Sequence, residues 1–249
     1  LSFGKQLLKT MRYIPDFITS LNLASGFIAI IFATYGDLLT ASWFILGAMI
    51  FDFLDGFSAR LLKAYSDIGK ELDSLADVVS FGVAPGIIIH NLLRNSFYAG
   101  APADINADCL NTVLIIAIAS IMPVCAALRL AIFNTDLTQA KSFRGLPTPA
   151  NAIAVISIVI SAHYSPSATM TSFSGSSVLL IIFTVILSLL MVSRIPLFSL
   201  KVSDFKLKGN EGRFIMIGLI LIAFAIFGIT SATLIIPIYI LSSLISLLF

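Results

Sequence analysis

The sequence predicts an all-α, polytopic membrane helix bundle, and three observations carry that prediction. The chain is 58% hydrophobic but only 11% charged, where soluble domains carry about twice that charged fraction. Its mean hydropathy is +1.03. The apolar residues fall in separate runs of roughly 20, the length that crosses a hydrocarbon core. The same numbers exclude other classes. A net charge of +2 is too small for a nucleic-acid partner. Two cysteines, Cys109 and Cys125, make neither a disulfide framework nor a metal-site spacing.

Taken in order, residues 1–13 lack the apolar core and small-residue cleavage site of a signal peptide. Phe3, Leu7, Leu8 and Met11 share a helical face, with Lys5, Lys9 and Arg12 elsewhere. This pattern suits an interfacial amphipathic helix or the basic flank of a first span. Eight candidate spans follow, at 15–35, 38–62, 70–94, 111–134, 148–164, 177–193, 213–230 and 232–248. Only the region from Ser231 to Pro237 separates the last two, which count as one span if that break is absent.

Sidedness follows from lysine and arginine, which accumulate on the cytoplasmic face. If the chain alternates, Lys5, Lys9, Arg12, Arg60, Lys63, Lys70, Lys141, Arg144, Arg194, Lys201, Lys206, Lys208 and Arg213 all lie on one side. Arg94 is left on the other, with Asp37, Asp104 and Asp108. Both termini are therefore expected in the cytoplasm, in a cell-membrane protein.

Four aspartates stand out against this apolar background. Asp52 and Asp55 are three apart near the end of the second span; Asp73 and Asp77 are four apart near the start of the third. Residues at these spacings share a helical face. Gly56, Ala59 and Gly69 fall one turn from acids on the same rows. If the two helices form an antiparallel hairpin, the four carboxylates converge beside exposed backbone. Ionisable groups inside a membrane are costly and mark function. Crowded carboxylates repel, and divalent cations supply the missing charge. An all-oxygen set suits Mg²⁺, Mn²⁺ or Ca²⁺ rather than zinc. Two such ions can clamp a phosphoryl group and activate an attacking oxygen. No cysteine or histidine lies near the acids to act as a covalent nucleophile. A buried ion-pair network with Arg60, Lys63 and Lys70 is the structural alternative, and it leaves the small residues on the acid rows unexplained.

The spacing D-x2-D-G-x2-A-R-x8-G-x3-D-x3-D resembles the signature of the CDP-alcohol phosphotransferase family at all eight fixed positions: Asp52, Asp55, Gly56, Ala59, Arg60, Gly69, Asp73 and Asp77. The resemblance implies a single integral-membrane domain with a six-helix catalytic core at 15–193, two extra C-terminal helices at 213–248, a homodimer, and a site facing the cytoplasm. It implies that Asp52, Asp55, Asp73 and Asp77 hold two divalent cations, Mg²⁺ or Mn²⁺, with Ca²⁺ as an alternative occupant. It also makes Asp77 the general base. Asp52, Gly56, Ala59, Arg60 and Gly69 are implied on the nucleotide side. Asp16 stands where the family commonly has Asn, and it is left out of the site.

Three further stretches resemble the integral-membrane phosphatidylserine synthases: SFGVAPG (80–86), RLAIFNTD (129–136) and FRGLPTPANA (143–152). The implied substrates are CDP-diacylglycerol and L-serine, and the implied products phosphatidylserine and CMP. Ile132 departs from the subfamily, which has Arg there. Serine carries a carboxylate, for which a fixed guanidinium is the natural partner. Arg129 is the first choice and Arg144 the second. Asn134 is placed either on the serine or as a helix cap; Ser80 and Gly82 either contact serine or form a kink before Pro85. Glycerol phosphate or inositol phosphate as acceptor, an archaeal CDP-lipid as donor, and a cation-coupled transporter are the competing readings. The transporter requires inverted repeats, and none is visible.

Overall fold

A computed structural model of the chain describes residues 13–64, 66–99, 109–135, 143–197 and 211–246. The expected interfacial helix at 1–13 lies almost wholly outside the described residues. The elements are α1 (Tyr13–Thr34), α2 (Leu38–Leu62), α3 (Asp67–Asp77), a π-helical segment (Val78–Val83), α4 (Ala84–Phe97), α5 (Cys109–Thr135), α6 (Thr148–Tyr164), α7 (Ala168–Gly175), α8 (Ser177–Val192), α9 (Glu211–Phe227), a 3₁₀ segment (Gly228–Leu234) and α10 (Ile235–Ile245). Among the described residues the strands are two residues long: β1 (Phe143–Arg144) pairs antiparallel with β2 (Pro196–Leu197). The protein is an all-α membrane bundle. Among the described residues, five helical runs are long and apolar enough to cross a bilayer: Tyr13–Thr34, Leu38–Leu62, Asp67–Phe97, Cys109–Thr135 and Gly212–Ile245, with the bent pair Ala168–Gly175 and Ser177–Val192 a sixth if it counts as one span.

Two details differ from the sequence reading. The span expected at 177–193 is preceded by α7, set at 80° to α8. Ser176 separates them, its backbone extended and its hydroxyl capping Leu179. The expected break around Ser231–Pro237 begins earlier, at Gly228, whose φ of +57° lies in the left-handed region. The 3₁₀ segment turns the chain there, and α9 and α10 pack against each other across it.

The bundle is assembled from small residues. The buried face of α1 is Pro15, Thr19, Asn22, Ser25, Gly26, Ala29 and Ala33. Several of its large residues, among them Phe17, Phe27 and Ile31, are exposed. This is the pattern of helices that meet closely and give their bulk to lipid. A tight link through Gly36 (φ +85°) returns the chain. Asp37 then caps α2 by accepting from the Thr40 amide at 3.0 Å. That bond holds the Asp37 carboxyl below the usual carboxylate range.

Proline shapes the third helical run. Pro85 has no N–H to offer the Phe81 carbonyl four residues earlier. The run widens into the π-helical segment at this point, and Asn151 on α6 donates to the Phe81 oxygen at 3.5 Å. Gly82 and Gly86, four apart, let the run press onto α5. A Cβ at Gly82 would sit 2.9 Å from the Ala126 Cβ, and one at Gly86 3.2 Å from Pro123 Cδ. Lipid-embedded helices use this spacing for close approach.

Candidate active site

α1, α2 and α3 build the site at one end of the bundle. α1 packs along α2 and also against α3, whereas α2 and α3 make no extended contact with each other. The acids therefore do not converge through the simple two-helix hairpin expected from the sequence; α1 forms a third wall. At the end of α2, Lys63 takes a left-handed conformation and its amide bonds the Arg60 carbonyl, while the Ala64 amide returns to Ala59. That cap stops α2 just beyond the acids. Ser66 starts α3 by accepting from the Gly69 amide at 2.9 Å.

Carboxylate oxygens of Asp52, Asp55 and Asp73 all lie within 4.8 Å of one another. Asp77 lies outside that triad but close enough to interact electrostatically with all three acids and with Arg129. Asp55 and Asp77 are buried, at 5% and 8% exposure. Each meets a donor from α1. The Thr19 hydroxyl lies 2.6 Å from Asp55 Oδ2, nearer than its other acceptor, the Pro15 carbonyl at 3.0 Å. Asn22 Nδ2 donates to Asp77 Oδ1 at 3.5 Å. Neither donor carries a charge, so the carboxylates still repel. Oxygens around one Mg²⁺ at about 2.1 Å lie roughly 3–4 Å apart; the triad, within 4.8 Å, has the chemistry for a divalent metal ion and needs only a small contraction to close on one.

The small residues divide into two kinds. A Cβ at Gly56 would meet nothing within 4 Å, so the space beside it is open. Gly69 is crowded by the chain itself: its Cβ would lie 2.7 Å from Asp16 Oδ1 and 2.8 Å from Ser66 Oγ. Asp16, set aside in the sequence reading, therefore stands at the rim of the site. Ala59 is half-buried and Arg60 exposed. Lys70 donates to the Asn134 carbonyl at 3.3 Å.

The residues expected to receive the acceptor are spread over a wider area. Arg129 is buried (8% exposed) near the end of α5, its guanidinium carbon 6.0 Å from the centre of the Phe133 ring. It donates to Thr148 Oγ1 at 3.4 Å, and its Nε has no hydrogen-bond partner. Asn134 donates to Ser74 Oγ at 2.8 Å, tying the end of α5 to α3 beside Asp73. Ser80 is fully buried and donates to the Asn22 carbonyl at 3.0 Å. Gly82 is taken up by packing on α5. Ser80 thereby ties the third helical run to α1, and Gly82 admits α5. Arg144 lies in β1 opposite Pro196. Ile132, three residues after Arg129 on α5, is exposed.

Thr19, Asn22 and Thr148 were not named as site residues by sequence reasoning, although Thr19 and Thr148 fall within stretches that resemble the family. Thr19 and Asn22 are three apart, the spacing of one helical face, but they belong to another helix and carry no charge. Their signal from residue type is two polar side chains among the small residues of α1.

Fold and site together define a multi-pass membrane protein with an acidic, metal-competent centre near one end of its helices. The sequence profile of the CDP-alcohol phosphatidyltransferase family matches residues 12–192. The chain is 36% identical over 187 residues to the CDP-diacylglycerol–serine O-phosphatidyltransferase of Bacillus subtilis, covering 74% of this chain and 89% of that protein. It is 34% identical over 208 residues to the enzyme of the same name from Helicobacter pylori strain J99, covering 82% and 77%. It is also 34% identical over 170 residues to the archaetidylserine synthase of Methanothermobacter thermautotrophicus, covering 68% and 66%. The chain belongs to the CDP-alcohol phosphatidyltransferase family.

Proposed function

We propose that this protein transfers the phosphatidyl group of CDP-diacylglycerol to the hydroxyl of L-serine, releasing CMP. The observation that carries the reading is the Asp52, Asp55 and Asp73 triad within 4.8 Å, with buried Asp77 beside it. The names of the three relatives share serine and differ in the lipid, which favours serine over glycerol phosphate or inositol phosphate. The archaetidylserine synthase keeps an archaeal CDP-lipid open as donor.

Asp52, Asp55 and Asp73, with Asp77, would hold two divalent cations, Mg²⁺ or Mn²⁺, which neutralise the diphosphate when bound. The remaining work falls to the chain. The open space beside Gly56 and Ala59 admits the nucleotide, and Arg60 lies at its edge. Asn22 fixes Asp77 from α1. Asp77 takes the proton of the serine hydroxyl. The serine oxygen bonds to the phosphorus that carries diacylglycerol, and the bond from that phosphorus to the bridging oxygen breaks. CMP leaves with the bridging oxygen. Arg129, buried with donors to spare, receives the serine carboxylate. Asn134 holds the end of α5 against α3. The site and both termini face the cytoplasm, the active form is a homodimer, and residues 15–193 form the catalytic core.

The test supplies purified protein with CDP-diacylglycerol, Mn²⁺ or Mg²⁺, and separately serine, glycerol phosphate and inositol phosphate. CMP release with serine alone is expected. Release with glycerol phosphate alone overturns the acceptor.

A further inference from the structure

α4 and α5 run side by side toward the end of the bundle away from the acids. They press together at Gly86, where an added Cβ would lie 3.2 Å from Pro123 Cδ and 3.3 Å from the Ala119 carbonyl. Further along, the hydroxyls of Tyr98 and Thr112 bridge them at 3.2 Å. Between these two ties lies a cleft of about 400 Å³, a size that takes a ligand. It opens on the outside of the bundle, where Ile116 is 53% exposed. Arg94 at its far end lies about 25 Å along the helical run from Asp77, at about 1.5 Å per residue. The cleft is therefore remote from the acidic centre.

The walls change along its length. Val83, Ile87 and Pro123 line the end toward the middle of the helices. His90, Asn91 and Arg94, one face of α4, line the other end with Ser120 of α5. Asn91 is committed to the fold, donating to the Ala33 carbonyl at 3.0 Å and the Ile87 carbonyl at 2.9 Å. His90 and Arg94 are one turn apart. Arg94 is exposed three residues before the apolar run ends at Phe97, the depth of lipid headgroups. An arginine there commonly reaches into bulk headgroups. A cleft with an imidazole one turn deeper gives a single headgroup a fixed place instead. Cationic groups at headgroup depth, with apolar walls leading toward the bilayer centre, follow the order of parts in a phospholipid. Among the described residues no acid lines the cleft. A choline or ethanolamine headgroup would bring its cation beside Arg94 with no carboxylate to receive it, so the charge pattern favours an anionic headgroup.

We propose that the cleft between α4 and α5 binds one anionic phospholipid from the leaflet opposite the acids. Its phosphate sits on Arg94 and His90, and an acyl chain lies along Ile87 toward Pro123. The lipid fills the space between the Gly86 and Tyr98 ties and braces α4 against α5. This site is separate from the transfer chemistry and stands whichever alcohol is the acceptor.

Native mass spectrometry of the delipidated full chain, titrated with dioleoyl phosphatidylglycerol or dioleoyl phosphatidylcholine, tests this. Arg94→Gln should weaken the binding of one phosphatidylglycerol per chain about tenfold, the scale of one hydrogen bond to a charged group. Ile116→Trp fills the cleft and keeps every charge. It should remove the same lipid, so the test survives if Arg94→Gln does not fold. Asp73→Asn, at the acidic centre, should retain it. Phosphatidylcholine should show no binding step that Arg94→Gln weakens. Unchanged phosphatidylglycerol binding in either variant, once folded, overturns the proposal, as does an equal loss of phosphatidylcholine. Loss of the lipid in Asp73→Asn would assign it to the acidic centre and overturn the proposal too. If Ile116→Trp splits a dimer and leaves lipid binding unchanged, the cleft is an interface between copies and the proposal falls.

Discussion

The two halves of the α1–α2 pair are built from the same kind of residue and do different work. In one half, Ser25 donates to the Phe44 carbonyl at 2.7 Å, and Ser42 returns its proton to the Leu38 carbonyl at 2.7 Å. Ala29, Ala33, Ala41, Ile45 and Ala48 fill the rest of that half, all fully buried. In the other half, Thr19 and Asn22 aim across the helix boundary at carboxylates. A buried hydroxyl or amide bonded to a backbone carbonyl completes a fold. The same group bonded to a buried acid orients chemistry. Helical spacing and side-chain size do not distinguish the halves; the partner does.

Substitutions along this pair sharpen the contrast. The largest effect belongs to Asp77→Asn, which removes the base and should lower kcat by about 10²–10⁴-fold. Nucleotide affinity, measured by CDP-diacylglycerol binding, should be largely spared. Asn22→Ala should come next. Misplacing a reacting group by about 1 Å can cost about 100-fold, and the loss should appear in kcat rather than in KM for the lipid. Thr19→Val keeps the volume and removes the donor to Asp55; a loss of about tenfold in kcat/KM is expected for one bond to a charged group. Ser25→Ala, on the silent half, should leave turnover within about twofold while costing about 1 kcal/mol in stability. Equal losses for Ser25→Ala and Asn22→Ala would dissolve the distinction.

The smallest effect is at Asp37. Its carboxyl titrates below the ordinary value of 3.8, so its capping contribution is complete at neutral pH. That contribution is lost as pH falls below 3.8 through the lowered value. Asp37→Ala should therefore lower the melting temperature slightly at pH 7, and the difference from the parent protein should shrink in acid.

Much of the site was legible in the sequence because charge is conspicuous in a membrane. Asp52, Asp55, Asp73 and Asp77 announce themselves by type, and helical spacing puts each pair on one face. The helices were legible for a related reason: α2 and α6 occupy 38–62 and 148–164, as the apolar runs indicate. What stayed hidden depended on tertiary contact. Thr19 and Asn22 look like ordinary small polar residues until α1 is placed between the acids. Ser80 and Gly82 lie beside Asp77 in sequence, and only the folded bundle shows Ser80 bonded to the Asn22 carbonyl and Gly82 pressed against Ala126. The π-helical segment follows from Pro85 only when Asn151 is seen to take the stranded carbonyl. The 80° turn before α8 has no signature beyond a short serine-rich stretch.

The proposed chemistry requires that Asp52, Asp55 and Asp73 form one cation-binding unit. Mn²⁺ titration of the purified protein, followed by electron paramagnetic resonance, tests this directly and without turnover. Two bound ions per chain are expected, with loss of at least one in Asp73→Asn and in Asp52→Asn, and retention of both in Ser25→Ala. Unchanged Mn²⁺ binding in Asp73→Asn and Asp52→Asn would contradict it.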